Sequence, residues 1–207
     1  MRRKPVTRQT PRAVVGIVVL AAGPSKRFGS PKQLALIGHS SLLRRSVETA
    51  LQAHAHSTAV VLGANAMMVE KELHGLPVTI RYNEEWKEGM GSTIRVGIRM
   101  IPAECTAAII MLADQPAVDS ELLNRLIDRH SSTNKPIVAC EYDGAPGVPA
   151  LFARSMFEDL LSIRGDRGAK ELIRLHLAST ATIPFPGGSI DVDTSRDLEN
   201  YLSKRGR

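Results

Sequence analysis

Val14-Val15-Gly16-Ile17-Val18-Val19-Leu20-Ala21-Ala22-Gly23-Pro24-Ser25-Lys26-Arg27-Phe28-Gly29-Ser30-Pro31-Lys32 opens as an aliphatic run without polar alternation and breaks into a loop of small residues and cations. An aliphatic run of this kind reads as a strand buried on both faces, the kind found inside parallel sheets. In the loop, small residues let backbone N–H groups approach a phosphate, and Arg27 and Lys32 supply charge to neutralise it. Neither a P-loop, which needs Gly-Lys-Ser/Thr after four intervening residues, nor a G-x-G-x-x-G dinucleotide fingerprint is present.

Outward from this stretch the pattern repeats. Apolar runs recur at Thr58–Gly63, Val78–Tyr82, Ala107–Ala113 and Ile137–Cys140. Helix-period segments lie between them at Ser41–Ala53, Ala66–Leu73, Ser92–Met100 and Asp119–His130, the last opened by Asp119 as a good N-cap. The βαβα order predicts an α/β fold, a three-layer α/β/α arrangement around a mostly parallel Rossmann-like sheet. After Cys140 come a Gly/Pro-rich stretch (Asp143–Pro149), short strand and helix pieces, then Ser189–Asp193 and a terminal helix from about Ser195. These predict a small C-terminal lid or acceptor-side subregion. Ligands bind beyond the carboxyl ends of strands in open α/β sheets, so the loops after Leu20, Tyr82 and Ala113 should meet at one crevice.

The net charge of +6 suggests nucleic acid until its placement is considered. Arg2, Arg3, Lys4, Arg8 and Arg12 precede the first strand, and Lys204, Arg205 and Arg207 follow the last helix, so the body between is slightly acidic. Residues 1–12 therefore read as a basic flexible tail, 13–203 as a single domain and 204–207 as a second basic tail. No nucleic-acid-binding motif accompanies them, so no nucleic acid partner is expected. The apolar stretch Val14–Ala22 is too short to span a membrane and lacks a cleavage site, and Cys105 and Cys140 show no metal or disulfide spacing. A cytoplasmic protein with reduced thiols and no membrane association is the expectation. The six histidines are scattered and take no assigned role.

A-A-G-x-S-x-R-x-G-x-x-K directly after the first strand resembles the signature loop of the MobA-like nucleotidyltransferases. The resemblance implies a sheet of the nucleotide-diphospho-sugar transferase type, with Arg27 and Lys32 on the triphosphate in catalytic roles and Ala21, Ala22 and Gly23 beside the nucleotide. Lys26 reads as a solvated surface cation. Asp114-Gln115-Pro116, at the end of the Ala107–Ala113 run, resembles the family's metal-binding Asp segment, although Ala113 stands where Gly is commoner. A carboxylate there suits Mg²⁺ held against phosphates. Asn83–Thr93 resembles the segment N-x-x-x-x-x-G-M-x-x-S/T that lies against base and ribose, which makes Asn83 and Ser92 candidate nucleotide contacts; the other reading of Ser92 is the N-cap of the following helix.

The run Asp191-Val-Asp-Thr-Ser-Arg-Asp-Leu198 resembles the ending of the cytidylyl-transferring branch and implies Asp193 as a second Mg²⁺ ligand, with Asp191 on the opposite face of a short strand. The segments Gly144–Phe152 and Gly165–Ala169 resemble the family's acceptor-site borders, with Val148 where a His is frequent. The guanylyl-transferring branch carries a second Gly where this chain has Ala22. The resemblance therefore implies transfer of CMP from CTP to the molybdenum cofactor, with pyrophosphate released and Mg²⁺ as cofactor, and a molybdoenzyme or its maturation chaperone as a further partner. A relative acting on a sugar phosphate or alditol phosphate, and a non-catalytic molybdenum cofactor-binding or insertion protein, are the alternatives.

Overall fold

The computed structural model describes residues 13–205. What the sequence suggests for residues 1–12 and for the last two residues lies outside that range. In chain order the elements are strand β1 (Val15–Ala21), the two-residue strands β2 (Leu36–Ile37) and β3 (Ser40–Ser41), helix α1 (Leu42–Gln52), β4 (Ser57–Leu62), α2 (Ala66–Val69), β5 (Thr79–Tyr82), α3 (Met90–Arg99), β6 (Ala107–Leu112), α4 (Ser120–Thr133), β7 (Ile137–Tyr142), β8 (Ala145–Ala153), α5 (Phe157–Ser162), α6 (Ala169–Leu175), β9 (Thr180–Pro184) and α7 (Ser195–Arg205).

Seven strands form one sheet in the order β5-β4-β1-β6-β8-β7-β9. β1 is buried at every position and runs parallel to β4 on one side and β6 on the other. Only β8 runs against its neighbours, pairing antiparallel with β6 and β7. Alternation along β1 divides the interior in two, because successive side chains leave opposite faces. Val15, Ile17 and Val19 pack with Leu43 and Val47 of α1 and with Leu123 and Leu126 of α4. Val18 and Leu20 pack on the other side with Ile94 and Ile98 of α3, Leu160 of α5 and Ile173 of α6. Each fully buried Leu or Ile contributes about 1.5–3 kcal/mol of transfer free energy. The three-layer, mostly parallel sheet is the one the sequence predicts.

Local capping explains where the helices begin. Ser41 Oγ accepts from the Arg44 N–H at the start of α1, and Asp119 accepts from the Leu122 N–H at 2.7 Å at the start of α4. Asn134 ends α4 in the left-handed region at φ 52°. A small third apolar cluster of Ile37, Leu42, Val192 and Tyr201 ties α7 and the segment before it to the start of α1, and Tyr201 Oη donates to Pro116 O at 2.9 Å.

Several boundaries differ from the sequence reading. The helix expected over Ala66–Leu73 is α2 followed by a 3-10 turn at Glu70–Leu73. α3 starts at Met90 rather than after Ser92. In the Gly/Pro-rich Asp143–Pro149 stretch, Asp143 and Gly144 form the turn after β7, and Ala145–Pro149 is the first half of β8, the longest strand. β8 tolerates Pro149 because the pairing skips Val148 and Pro149, where the register shifts opposite Ala139 and Cys140. Asp191 does not lie on a strand; Pro186–Ser189 is a 3-10 turn and the residues after it are extended. α7 continues through Lys204 to Arg205, so that part of the presumed basic tail is helical. Among the described residues no helix is long and apolar enough to cross a membrane.

α3 lies close on the sheet because Gly97 is bare. A Cβ there would stand 2.3 Å from Val18 Cγ1 and 3.3 Å from Val61 Cγ2. Both valines are fully buried and stiff at χ1, so neither can turn aside. Gly97→Val should therefore overpack this contact and destabilise the fold by about 2–3 kcal/mol; urea titration of wild type and variant checks the value, and an unchanged midpoint contradicts the close approach.

Candidate active site

The carboxyl ends of β1 and β6, the segment after β5 and the stretch before α7 surround a cleft of about 860 Å³. The cleft is bounded by Leu20–Pro24, Lys26, Lys32 and Gln33 on one wall and by Trp86, Lys87, Gly89, Met90, Thr93 and Asp166 on another, with Asp114 and Asp193 between. Lys26, read from sequence as a solvated surface cation, belongs to this wall.

Four ionised side chains from three distant segments form a chain of short contacts. Lys32 Nζ donates to Asp114 Oδ2 at 2.6 Å and to Asp193 Oδ1 at 2.7 Å, and Arg27 Nη2 donates to Asp193 Oδ2 at 2.7 Å. Lys32 is the sheltered member, with its side chain 16% exposed, whereas that of Arg27 is 72% exposed. Backbone bonds set the geometry: Ala113 N–H donates to Leu20 O, and Val192 N–H donates to Asp114 O at 2.9 Å. The first holds the ends of β1 and β6 together, and the second brings the stretch before α7 against Asp114.

The charges shift one another in a consistent sense. Burial alone would lower the Lys32 ammonium, but Asp114 and Asp193 outweigh it and hold the group above the usual lysine value. Burial would raise Asp193, but its hydrogen bonds and charge contacts with Lys32 and Arg27 keep it below the usual carboxylate range. For Asp191 the balance is reversed: a hydrogen bond with Gln115 and the charge of Lys32 act to lower it, but they are outweighed. Although one side of it is open to solvent, desolvation by the surrounding atoms and then the charge of Asp114 push its carboxyl up to about 6.

Asp114 is not the surface-facing loop residue its position suggests. Its side chain is 20% exposed, and Oδ1 is buried without a hydrogen-bond partner among the described residues. A buried carboxylate oxygen left unpaired is unusual unless the site is built to receive something. Two carboxylates from separate loops, one with an unshared oxygen, fit a hard divalent cation that takes the rest of its shell from phosphates and water. The Lys32 ammonium bridges the same two carboxylates, so such a cation would share or displace it.

Asn83 and Ser92 do not reach the cleft wall. Both are almost fully buried, and they bond to each other. Asn83 Nδ2 donates to Ser92 Oγ at 2.8 Å and Thr93 Oγ1 at 3.0 Å, and Ser92 Oγ lies 3.0 Å from Glu85 O and 2.8 Å from Gly89 O. Because α3 begins two residues earlier than the sequence suggests, Ser92 lies within its first turn and faces back onto loop carbonyls. These two residues fix the Asn83–Gly89 loop, and Trp86, Lys87 and Thr93 present it to the cleft. Glu88 performs a similar task on the outer side. Its carboxylate pairs with Arg95 and accepts from the Gly165 N–H, and the hydrogen bond to Arg95 foremost holds it down at about 2. Gly89, at φ 120°, has no room for a Cβ, which would lie 2.4 Å from Asp166 Oδ1. Sequence reasoning also passed over Gln33, a polar residue only 3% exposed, because nothing in its spacing distinguishes it from a solvated loop residue.

The crowding of Asp191 by Asp114 gives a direct test of the cluster. Removing the Asp114 charge in Asp114→Asn should lower the Asp191 pKa from about 6 toward the ordinary carboxylate range. Carboxyl-carbon NMR titration of both proteins reads this shift, and an unmoved Asp191 would contradict the proximity.

Comparison with known proteins follows the same residues. A family model described as the MobA-like NTP transferase domain matches residues 17–181. Nicotine blue oxidoreductase of Paenarthrobacter nicotinovorans is 30% identical over 164 residues, covering 76% of this chain and 80% of that protein. Purine catabolism protein PucB of Bacillus subtilis (strain 168) is 26% identical over 195 residues, 88% of this chain and 93% of its own. Among solved structures, Rv0371c of Mycobacterium tuberculosis H37Rv superposes with a TM-score of 0.82 at 28% identity over 93% of this chain and 99% of that one. A complex of Rv0371c with manganese superposes at 0.78, with 26% identity over 92% and 98%. With the family model running from β1 to β9 through the signature loop and Asp114, the chain belongs to the MobA-like NTP transferase family and is a nucleotidyltransferase.

Proposed function

We propose that this nucleotidyltransferase moves CMP from CTP onto the terminal phosphate of the molybdenum cofactor, releasing pyrophosphate. The observation that carries the reading is the Arg27–Asp193–Lys32–Asp114 chain at the cleft, a charge cluster with no packing function and with an unshared buried carboxylate oxygen. A phosphate oxygen of the acceptor attacks the α-phosphorus in line, the new P–O bond forms, and the bond to the β-phosphate oxygen breaks with its electron pair leaving on pyrophosphate. Arg27 and Lys32 bind and align the triphosphate, and Asp114 and Asp193 hold Mg²⁺, which when bound offsets charge on the phosphates. The similar Rv0371c has been solved in complex with manganese, which supports a divalent ion as cofactor. Asn83 and Ser92 contribute by shaping the loop that carries Trp86 and Lys87 rather than by touching nucleotide.

The base preference rests on Ala22. It lines the cleft, and its methyl lies so close to Gly63 that a Cβ added there would stand 2.7 Å from Ala22 Cβ. A glycine at position 22 would leave more room at this corner; the Ala22 methyl takes up that room, which suits the smaller pyrimidine. The acceptor assignment rests on the sequence resemblance of the 144–152 and 165–169 segments, of which Asp166 reaches the cleft. Cys105 and Cys140 are both free and buried, and burial pushes the Cys140 thiol up to about 12; the cytoplasmic location is proposed from the sequence reading.

Calorimetry with Mg²⁺ should show CTP binding more tightly than GTP, and pyrophosphate release should require a molybdopterin acceptor rather than a sugar or alditol phosphate. Equal or reversed affinities would remove the cytidine assignment. Asp114→Ala should reduce pyrophosphate release by orders of magnitude. The fold should lose on the order of 1 kcal/mol or less, since Lys32 keeps Asp193 as a partner. An active but destabilised variant would assign Asp114 a structural role instead.

A further inference from the structure

We propose that Gln33 is a positioning residue of the nucleotide site, whose carboxamide fixes the peptide planes of the 21–25 loop so that the loop offers backbone N–H groups to the triphosphate. This rests on the nucleotide reading given above. Gln33 lies in the short 3-10 turn Lys32–Leu34, immediately after the signature lysine, yet it is only 3% exposed and borders the cleft.

A carboxamide carries two N–H donors and one carbonyl acceptor. Here all of that capacity is directed at one loop. Nε2 donates to Ala21 O at 3.0 Å and to Gly23 O at 2.9 Å, and Oε1 accepts from Ser25 Oγ at 3.0 Å. Between those two carbonyls, Ala22 O accepts from the Ala64 N–H at 3.0 Å. Three consecutive carbonyls are thus turned onto donors of the protein. In a trans peptide the N–H points opposite to the C=O, so the N–H groups of Ala22 and Gly23 are aimed away from those donors; Pro24 has none to aim. An approaching polyanion meets N–H groups rather than carbonyl lone pairs.

Solvation alone does not call for this arrangement. Gly23 is exposed, and water could satisfy its carbonyl as readily as Gln33 does. What water cannot do is hold the peptide plane in one orientation. The same carboxamide also steadies Ser25, which occupies the left-handed region at φ 55° and whose hydroxyl accepts from the Lys32 N–H at 3.1 Å. Gln33, Ser25 and the backbone of Lys32 form one closed network, which sets where the Lys32 side chain leaves the loop toward Asp114 and Asp193.

The test is calorimetric binding of CTP with Mg²⁺, without acceptor, to wild type, Gln33→Met and Gln33→Glu, with melting temperatures taken on the same samples. Gln33→Met keeps the volume and removes every hydrogen bond, so it should weaken binding by at least about tenfold while remaining folded. Gln33→Glu adds a pH signature. Its neutral carboxyl can donate one hydrogen bond to a carbonyl, whereas its carboxylate sets lone pair against lone pair. Affinity should therefore fall as pH rises from about 5.5 to 8.5, at least tenfold more steeply than in wild type. Should Gln33→Glu unfold at the upper pH values, Gln33→Met decides alone. Wild-type affinity in both variants, with only the melting temperature lowered, would overturn the positioning role. A wild-type protein that binds no nucleoside triphosphate would overturn both this role and the nucleotide reading.

Discussion

A single ammonium group, Lys32 Nζ, sits between carboxylates that are 79 residues apart in the chain, Asp114 and Asp193, and the rest of the architecture serves that meeting. Lys32 comes from the loop after β1, Asp114 from the end of β6, and Asp193 from the stretch ahead of the last helix. For the first two to meet, β1 and β6 must be adjacent and parallel, and their pairing from Val15↔Ala107 to Leu20↔Leu112 ends them at the same level. For the third to join, the C-terminal stretch must be pinned, and Val192 does this twice, through its buried side chain and through its N–H on Asp114 O. Tyr201, donating to Pro116 O, fastens α7 to the loop that follows Asp114.

Gathering three aspartates at one strand end is unfavourable in itself, and the site shows how the repulsion is distributed. Asp193 is relieved by two cations and stays readily ionised, whereas desolvation and then Asp114 push Asp191 up to about 6. The cations are equally arranged to be available, since Arg27 is mostly exposed and Lys32 lies at the cleft wall rather than in a sealed core. Such pairs add little to stability. Their value lies in keeping side chains of opposite sign aligned, and the stability of the fold comes instead from the two apolar layers on either side of the sheet.

The parts of this design that were legible in the sequence are those written in local patterns. Continuous aliphatic runs revealed β1, β4, β5, β6 and β7, and Asp119 announced the start of α4. The prolines and glycines of β8 show in the sequence only as a Gly/Pro-rich stretch, while the pairing irregularity that accommodates Pro149 arises only when β8 lies against β7. Gly147 has a similar origin: a Cβ there would stand 2.2 Å from the Tyr142 hydroxyl, a contact that exists only once β7 and β8 are paired. At Ser92, two residues of helix boundary turn the hydroxyl onto the loop carbonyls and Asn83. Arg27 and Lys32 were recognised as cations, but their pairing with Asp193 across the whole domain has no signature in spacing.

Charge arithmetic links the two walls of the cleft. Arg27 and Lys32 are already matched by Asp193 and Asp114, so the cluster as it stands has no net charge to spend on a ligand. A nucleoside triphosphate carries more negative charge than one divalent cation cancels. If Asp114 and Asp193 turn to that cation, Lys32 and Arg27 are released from them and become free for the phosphates. Lys26 and Lys87, on opposite sides of the same cleft, add positive charge within reach, the latter lying 5.6 Å from the centre of the Trp86 ring. Such an exchange of partners would move positive charge onto the nucleotide, and it would require the loop to hold its shape as the lysine side chain changes partners. A loop whose carbonyls are fixed independently of Lys32, by Gln33 and by the Ala64 N–H, meets that requirement.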